Sequence, residues 1–199
     1  TLWQQVRYLD RSRIPGALVE CGTWKGGACG LMALAHLASG PPSRPLHLLD
    51  SFGGFPEPRA ERDGEGAVRY AGGAATGALK SIGRAVARLE ECRDLLERMI
   101  NYPNTLTHYH VGWFQDTVPQ AAARIGAISL LRLDGDWYDS TKICLETLTP
   151  LVSRGGIVVI DDYGHWPGCR KAVDEFLDTF EQPPLLNHID GAGRYWIAP

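Results

Sequence analysis

The feature that most limits how this chain can fold is a regular exchange of short apolar runs for longer stretches of helical period. Residues 16–20 (GALVE), 46–50 (LHLLD), 106–111 (LTHYHV), 128–134 (ISLLRLD) and 156–162 (GIVVIDD) read as strands. Between them, residues 26–38, 82–100, 116–125 and 139–152 set apolar side chains at i, i+3 and i+4. Strands that are apolar throughout and joined by helices belong to a mostly parallel sheet covered on both faces. A helix over 168–180 is followed by strands at 185–190 and 194–199 across a tight glycine-containing turn. That ending predicts an antiparallel hairpin and brings the sheet to seven strands.

Length and composition bound the rest. A chain of 199 residues, 44% of them apolar, suffices for one core, so a single domain is expected. Basic and acidic residues, 20 against 23, are intermixed, which gives no footprint for nucleic acid. No apolar run approaches the roughly 20 residues of a membrane span, and the first residues carry no leader pattern. The expectation is a soluble protein with neither nucleic acid nor membrane as partner. Cys21, Cys29, Cys92, Cys144 and Cys169 are scattered and form no CxxC pair, which suits small buried residues in a reducing cytoplasm better than zinc ligands or disulfides. Residues 51–81, rich in Gly, Ala, Pro and charge, break the rhythm and are too long for a bare connection. An insertion of this kind, about 53–81, is expected to be a lid over a site.

The chemistry starts at VECGTWKGG, residues 19–27. Glu20 closes the first strand, Gly22 permits a tight turn, and Gly26 and Gly27 let backbone approach a ligand at the start of a helix. This is neither the G-x-G-x-x-G of dinucleotide enzymes nor a phosphate loop, which needs a Lys-Ser/Thr pair. With Thr23 and Trp24 it suits the amino-acid end of S-adenosylmethionine. Asp50, followed by Ser51, ends the second strand where a carboxylate can accept both ribose hydroxyls; the competing role is a turn or helix cap. After the third strand, Gly112 precedes Trp113 and Phe114, which either flank an adenine or pack in the core. Asp134 closes the fourth strand and Asp161 and Asp162 the fifth, so three carboxylates converge on one rim. Two of them about 5 Å apart repel by roughly 3 kcal/mol at an effective dielectric of 20, and a hard divalent cation, Mg²⁺, relieves that. The alternative is that Asp161 and Asp162 cap the next segment while Asp134 faces solvent.

The motifs ECGTWKGGA, DSFGGFPEP, VGWFQDTVP, LDGDWYDST and GGIVVIDDYGHWPGCRKAVDEF, in that order from about residue 15 to 180, resemble the macrocin O-methyltransferase family. The resemblance implies a class I methyltransferase fold, Rossmann-like, with a seven-stranded sheet, helices on both faces and a C-terminal antiparallel hairpin. It also implies S-adenosylmethionine as methyl donor, Mg²⁺ on Asp134, Asp161 and Asp162, and a base at Asp136. Asp134 is counted with the cofactor residues as well. Against that resemblance, the stretch before the first strand is expected to hold little of the family's N-terminal helical region, which helps form lid and subunit contacts, and a homodimer is one expected state.

On this reading the acceptor is a small-molecule hydroxyl, most naturally on a sugar of a natural product. Mg²⁺ favours its alkoxide, and Asp136 takes the proton or, alternatively, orients a metal-bound water. His165 is the other candidate for acid–base work, against a plain loop residue; Arg170 either meets the acceptor or forms a structural ion pair. A catechol-type metal-dependent O-methyltransferase is the competing enzyme, but its usual lysine position here holds Trp137. A non-catalytic cofactor-binding module would be expected to lose an aspartate or the glycine loop, and neither is lost.

Overall fold

The computed structural model describes residues 1–199. Strands β1 (Ala17–Cys21), β2 (Leu46–Asp50), β3 (Thr107–Val111), β4 (Ile128–Leu133), β5 (Val152–Ile160), β6 (Asn187–His188) and β7 (Arg194–Ile197) form one sheet in the order β3-β2-β1-β4-β5-β7-β6. The first five run parallel, and β7 is antiparallel to both of its neighbours. The expected α/β fold with a terminal hairpin is therefore what forms. Strand order reverses between β1 and β4, which opens a crevice beyond their carboxyl ends.

Every residue of β1 is buried because helices cover both faces, which is why it reads as an unbroken apolar run. On one face Val19, Cys21, Leu131 and Leu133 pack against α5 (Phe114–Ile125), α6 (Tyr138–Leu148) and α7 (Pro167–Leu177). On the other, Leu18, Leu46, Leu48 and Leu130 meet α1 (Leu2–Arg11) and α2 (Gly27–Leu37). All five cysteines are buried and unpaired. No helix is long and apolar enough to cross a membrane.

Two helices were not anticipated, and one came out shorter. Helix α1 lies ahead of the first strand, where no element was expected, and a buried polar clamp ties it down. Asp10 accepts hydrogen bonds from His36 Nδ1 (2.9 Å) and Arg44 Nε (2.6 Å), and Arg44 also donates to the carbonyls of Gly16 and Leu9. Ser43 Oγ, 3.4 Å from His36 Nε2, completes a Ser–His–Asp row. The row is structural, because the backbone N–H groups of Ser43 (3.0 Å) and Arg44 (3.3 Å) donate to the lone pair a catalytic hydroxyl would need. Within residues 51–81 the chain folds α3 (Ala60–Tyr70) and the isolated bridges Pro56–Ser81 and Arg59–Thr76. The helical pattern of 82–100 condenses to α4 (Leu89–Arg93) and a π-helical turn, Asp94–Met99. Ala85 takes a left-handed backbone (φ 52), and the helix starts only after Arg88, whose N–H donates to Glu91 Oε2.

At the sheet edge His47 on β2 is buried between two histidines of β3. Its ring stacks on His108 at 4.5 Å, and its Nδ1 lies 3.0 Å from Nε2 of His110, the two rings nearly coplanar at 13°. Burial, reinforced by His108 and His110, pushes His47 down to about 3, and Arg124 adds to the pressure on His110. Below the ordinary value of 6.5 the unfolded chain thus binds a proton that the folded chain refuses, so stability is full above 6.5 and falls on acidification toward 3. One such proton is worth at most about 1.4 kcal/mol per pH unit. Denaturant melts at pH 7 and pH 5 should show a smaller acid-induced loss in His47→Gln than in the parent; equal losses would contradict the assignment.

Candidate active site

Beyond the carboxyl ends of β1, β2 and β4 lies a cavity of about 210 Å³. Gly22, Trp24, Asp50 and Ser51 form one wall, and Gly112, Trp113, Phe114 and Gln115 another. Asp134, Gly135, Asp136 and Ser140 close the β4 side, while Gly54, Phe55, Pro56 and Ala85 come from the insertion and the chain just after it. Trp24, Ala85 and Asp136 hold positive φ (45, 52 and 57), so three of the six strained non-glycine residues line this one cavity. Backbone strain costing about 1–3 kcal/mol per residue gathers where function over-determines geometry.

The β1 turn is built around Gly22 and Asp50. Gly22 has φ +87, and a Cβ there would stand 1.9 Å from the carbonyl oxygen of Asp134, so glycine lets the ends of β1 and β4 meet. Asp50 Oδ2 accepts the N–H groups of Thr23 (2.7 Å) and Trp24 (2.8 Å), and Oδ1 that of Phe52 (2.7 Å). The carboxylate thus shapes the turn and also faces the cavity, with acceptor capacity left for a ligand. Thr23 is buried behind the wall, Gly26 is the N-cap of α2 and Gly27 its first residue; none of the three reaches the cavity.

The acidic rim divides into two groups. Asp134, Asp136 and Asp162 each offer a carboxylate oxygen within 4.8 Å of the others. Asp161 is directed elsewhere, onto Arg132, because adjacent residues leaving a strand point to opposite faces. Arg132 Nη1 donates to Asp134 Oδ2 at 2.8 Å and to Glu20 Oε1, and Nη2 pairs with Asp161. Glu20, 1% exposed, therefore lies beneath the site rather than on its wall, with Oε2 accepting from Cys29 Sγ at 2.7 Å. Burial, against the pull of Arg132, raises Glu20. Burial also raises Asp136 well above the ordinary carboxyl range and, with the charges of Asp136 and Asp134, pushes Asp162 up to about 9. Asp162 Oδ2 is buried with no hydrogen-bond partner. An orphaned oxygen among all-oxygen donors fits a hard divalent cation.

His165 stands outside this group. It is exposed, its ring edge-on to Trp166 at 4.5 Å, and with Arg170 it lines a shallow polar depression at the start of α7. Arg132 was not anticipated from the sequence. Its signal was an arginine inside an apolar strand, since a charge on a buried strand requires partners. Phe55, Pro56 and Ala85 were missed because an aperiodic insertion gives no register.

Removing Arg132 would leave Glu20 buried beside two unneutralised carboxylates. Arg132→Met should cost about 3–5 kcal/mol of folding stability, and adding Glu20→Gln should recover part of it. Chemical denaturation checks this; a single variant within about 1 kcal/mol of the parent would refute the role.

Comparisons with known proteins identify the family. The family model described as Macrocin-O-methyltransferase (TylF) matches residues 1–198. Demethyldecarbamoylnovobiocin O-methyltransferase of Streptomyces niveus is 37% identical, over 93% of this chain and 67% of that protein. Mycinamicin III 3''-O-methyltransferase of Micromonospora griseorubida is 32% identical, over 94% of this chain and 70% of its own length. The chain thus spans about two thirds of these relatives. The solved structure of the O-methyltransferase NovP superposes with a TM-score of 0.84 at 34% identity, covering 99% of this chain and 77% of that one. With a family model matched from end to end and relatives above 30% identity, the chain belongs to the macrocin O-methyltransferase family.

Proposed function

We propose that this chain moves the methyl group of S-adenosylmethionine to a hydroxyl on the sugar of a small natural product, with Mg²⁺ at the acidic rim. The observation that carries the reading is the group Asp134, Asp136 and Asp162, with its orphaned buried oxygen, set against a cavity of the crevice type. The names of the relatives, which act on a novobiocin precursor and on mycinamicin III, support a glycosylated acceptor.

In this reading Asp50 receives the ribose hydroxyls, the Gly22–Trp24 turn meets the methionine end, and Trp113 and Phe114 flank the adenine. Asp134 and Asp162 would hold the Mg²⁺, which when bound would lower the pKa of the acceptor hydroxyl, and the cofactor would supply an electrophilic methyl on a sulfonium. Asp161 would be a further ligand only on leaving Arg132, which it pairs with here. Asp136 would take the acceptor proton: it is 8% exposed, beside the residues that would hold the ion, and held by a hydrogen bond from the Trp166 indole N–H. Phe55 and Pro56, the wall from the insertion, would shield the acceptor from water.

Single-turnover methylation of demethyldecarbamoylnovobiocin and a panel of deoxysugar glycosides tests this, with S-adenosylhomocysteine affinity measured alongside. Asp136→Asn should lose about 10²- to 10⁴-fold in rate with cofactor affinity nearly unchanged. Asp134→Asn should regain part of its loss at high Mg²⁺. Undiminished turnover after exhaustive chelation would exclude the metal, and Asp136→Asn within a few-fold of the parent would exclude that base.

Mg²⁺ binding has a readout independent of turnover. Added Mg²⁺ should raise the unfolding midpoint of the parent, and Asp162→Asn should respond less. An equal response in both would place the ion elsewhere.

A further inference from the structure

Trp166 is the N-cap residue of α7, and its indole N–H donates to Asp136 Oδ1 at 2.9 Å. The bond joins a neutral donor to a buried carboxyl and sets the plane of that carboxyl. The indole is itself gripped from two sides. Trp137 meets it edge-on at 4.8 Å, and Tyr70, the last residue of α3, at 5.6 Å. Tyr70 also packs on Phe55 of the cavity wall at 5.7 Å.

Helix α3 is kinked at Gly64 (φ 79), and its first segment is fastened to this corner at close range. Asp63, buried, accepts the N–H of Tyr138 through Oδ1 and of Arg59 through Oδ2, both at 2.7 Å. A Cβ on Gly168 of α7 would fall 2.0 Å from Asp63 Oδ1, and a Cβ on Gly66 of α3 would find the Trp166 ring at 4.0 Å. Arg59 and Arg62 both pair with Asp139 at the start of α6.

We propose that Trp166 is a positioning residue that couples the insertion to the base: it holds Asp136 through its indole N–H, and its own place depends on α3 lying against α7. The catalytic meaning of this coupling rests on the function proposed above, while the contact itself does not. A larger side chain at Gly66, or loss of the Asp139 tethers, lifts α3 from the ring and frees the indole.

Hydrogen exchange of the six tryptophan indole N–H groups, read by ¹⁵N NMR, tests the contact without any acceptor. The Trp166 signal is identified by its loss in Trp166→Phe. It should move in Asp136→Ala and exchange at least about tenfold faster in Gly66→Leu and in Arg59→Ala/Arg62→Ala, the indoles other than Trp137, whose ring meets Tyr70 and whose N–H donates to the Pro56 carbonyl, being unaffected. In single turnover, Trp166→Phe, which keeps a ring and loses the donor, should slow methyl transfer about ten- to hundredfold, with S-adenosylmethionine affinity within twofold. Unchanged Trp166 exchange in both α3 variants overturns the coupling, as does Trp166→Phe turning over within twofold of the parent. A parent that methylates no acceptor sinks the functional reading instead, and the exchange data still decide the coupling.

Discussion

The Arg132 guanidinium, its side chain 12% exposed, binds carboxylates from three neighbouring strand ends: Glu20 below, Asp134 beside it and Asp161 just past the end of β5. A parallel sheet delivers the carboxyl ends of its strands to one edge, and here that edge is acidic on β1, β4 and β5 together. Without a fixed cation such an edge would repel itself and pull the central strands apart. Arg132 makes the edge compatible with a buried sheet, and the cavity, the turn at Gly22 and the metal-type group are all built on that edge.

Arg132 neutralises one side of the rim and leaves the other short of positive charge. Asp134 stands on the border, touching the guanidinium and also counted in the group with Asp136 and Asp162. Burial and mutual repulsion raise the latter two, and Asp162 keeps an oxygen with no partner. A protein gains nothing in stability from this arrangement. In the proposed function its use is to present oxygens to a cation and to hold one carboxyl close to the acceptor hydroxyl.

The sheet was legible because its central strands are buried on both faces: continuous apolar runs located β1, β2 and β4 to within a residue. The hairpin was legible from its turn. Gly22, Asp50, Trp113 and Phe114 were found because they follow strands directly and so reach the crevice. Side-chain direction was not legible. IDD reads as two equivalent aspartates, yet strand alternation sends Asp162 to the acidic group and Asp161 to Arg132. Helix α3 and the wall residues Phe55 and Ala85 lay in a stretch without period, where glycine and tertiary contacts set the backbone. His165 stands exposed, edge-on to Trp166, a direction that no local pattern signals.

The central claim is that the ends of β4 and β5 hold a divalent cation next to Asp136. Crystals grown with Mn²⁺ in place of Mg²⁺ and with S-adenosylhomocysteine would locate the ion by its anomalous scattering. The account predicts one strong peak about 2.0–2.3 Å from oxygens of Asp134 and Asp162, with Asp136 alongside and the cofactor ribose on Asp50. An ion bound elsewhere, or cofactor density over an acidic group that stays empty at millimolar Mn²⁺, would contradict it.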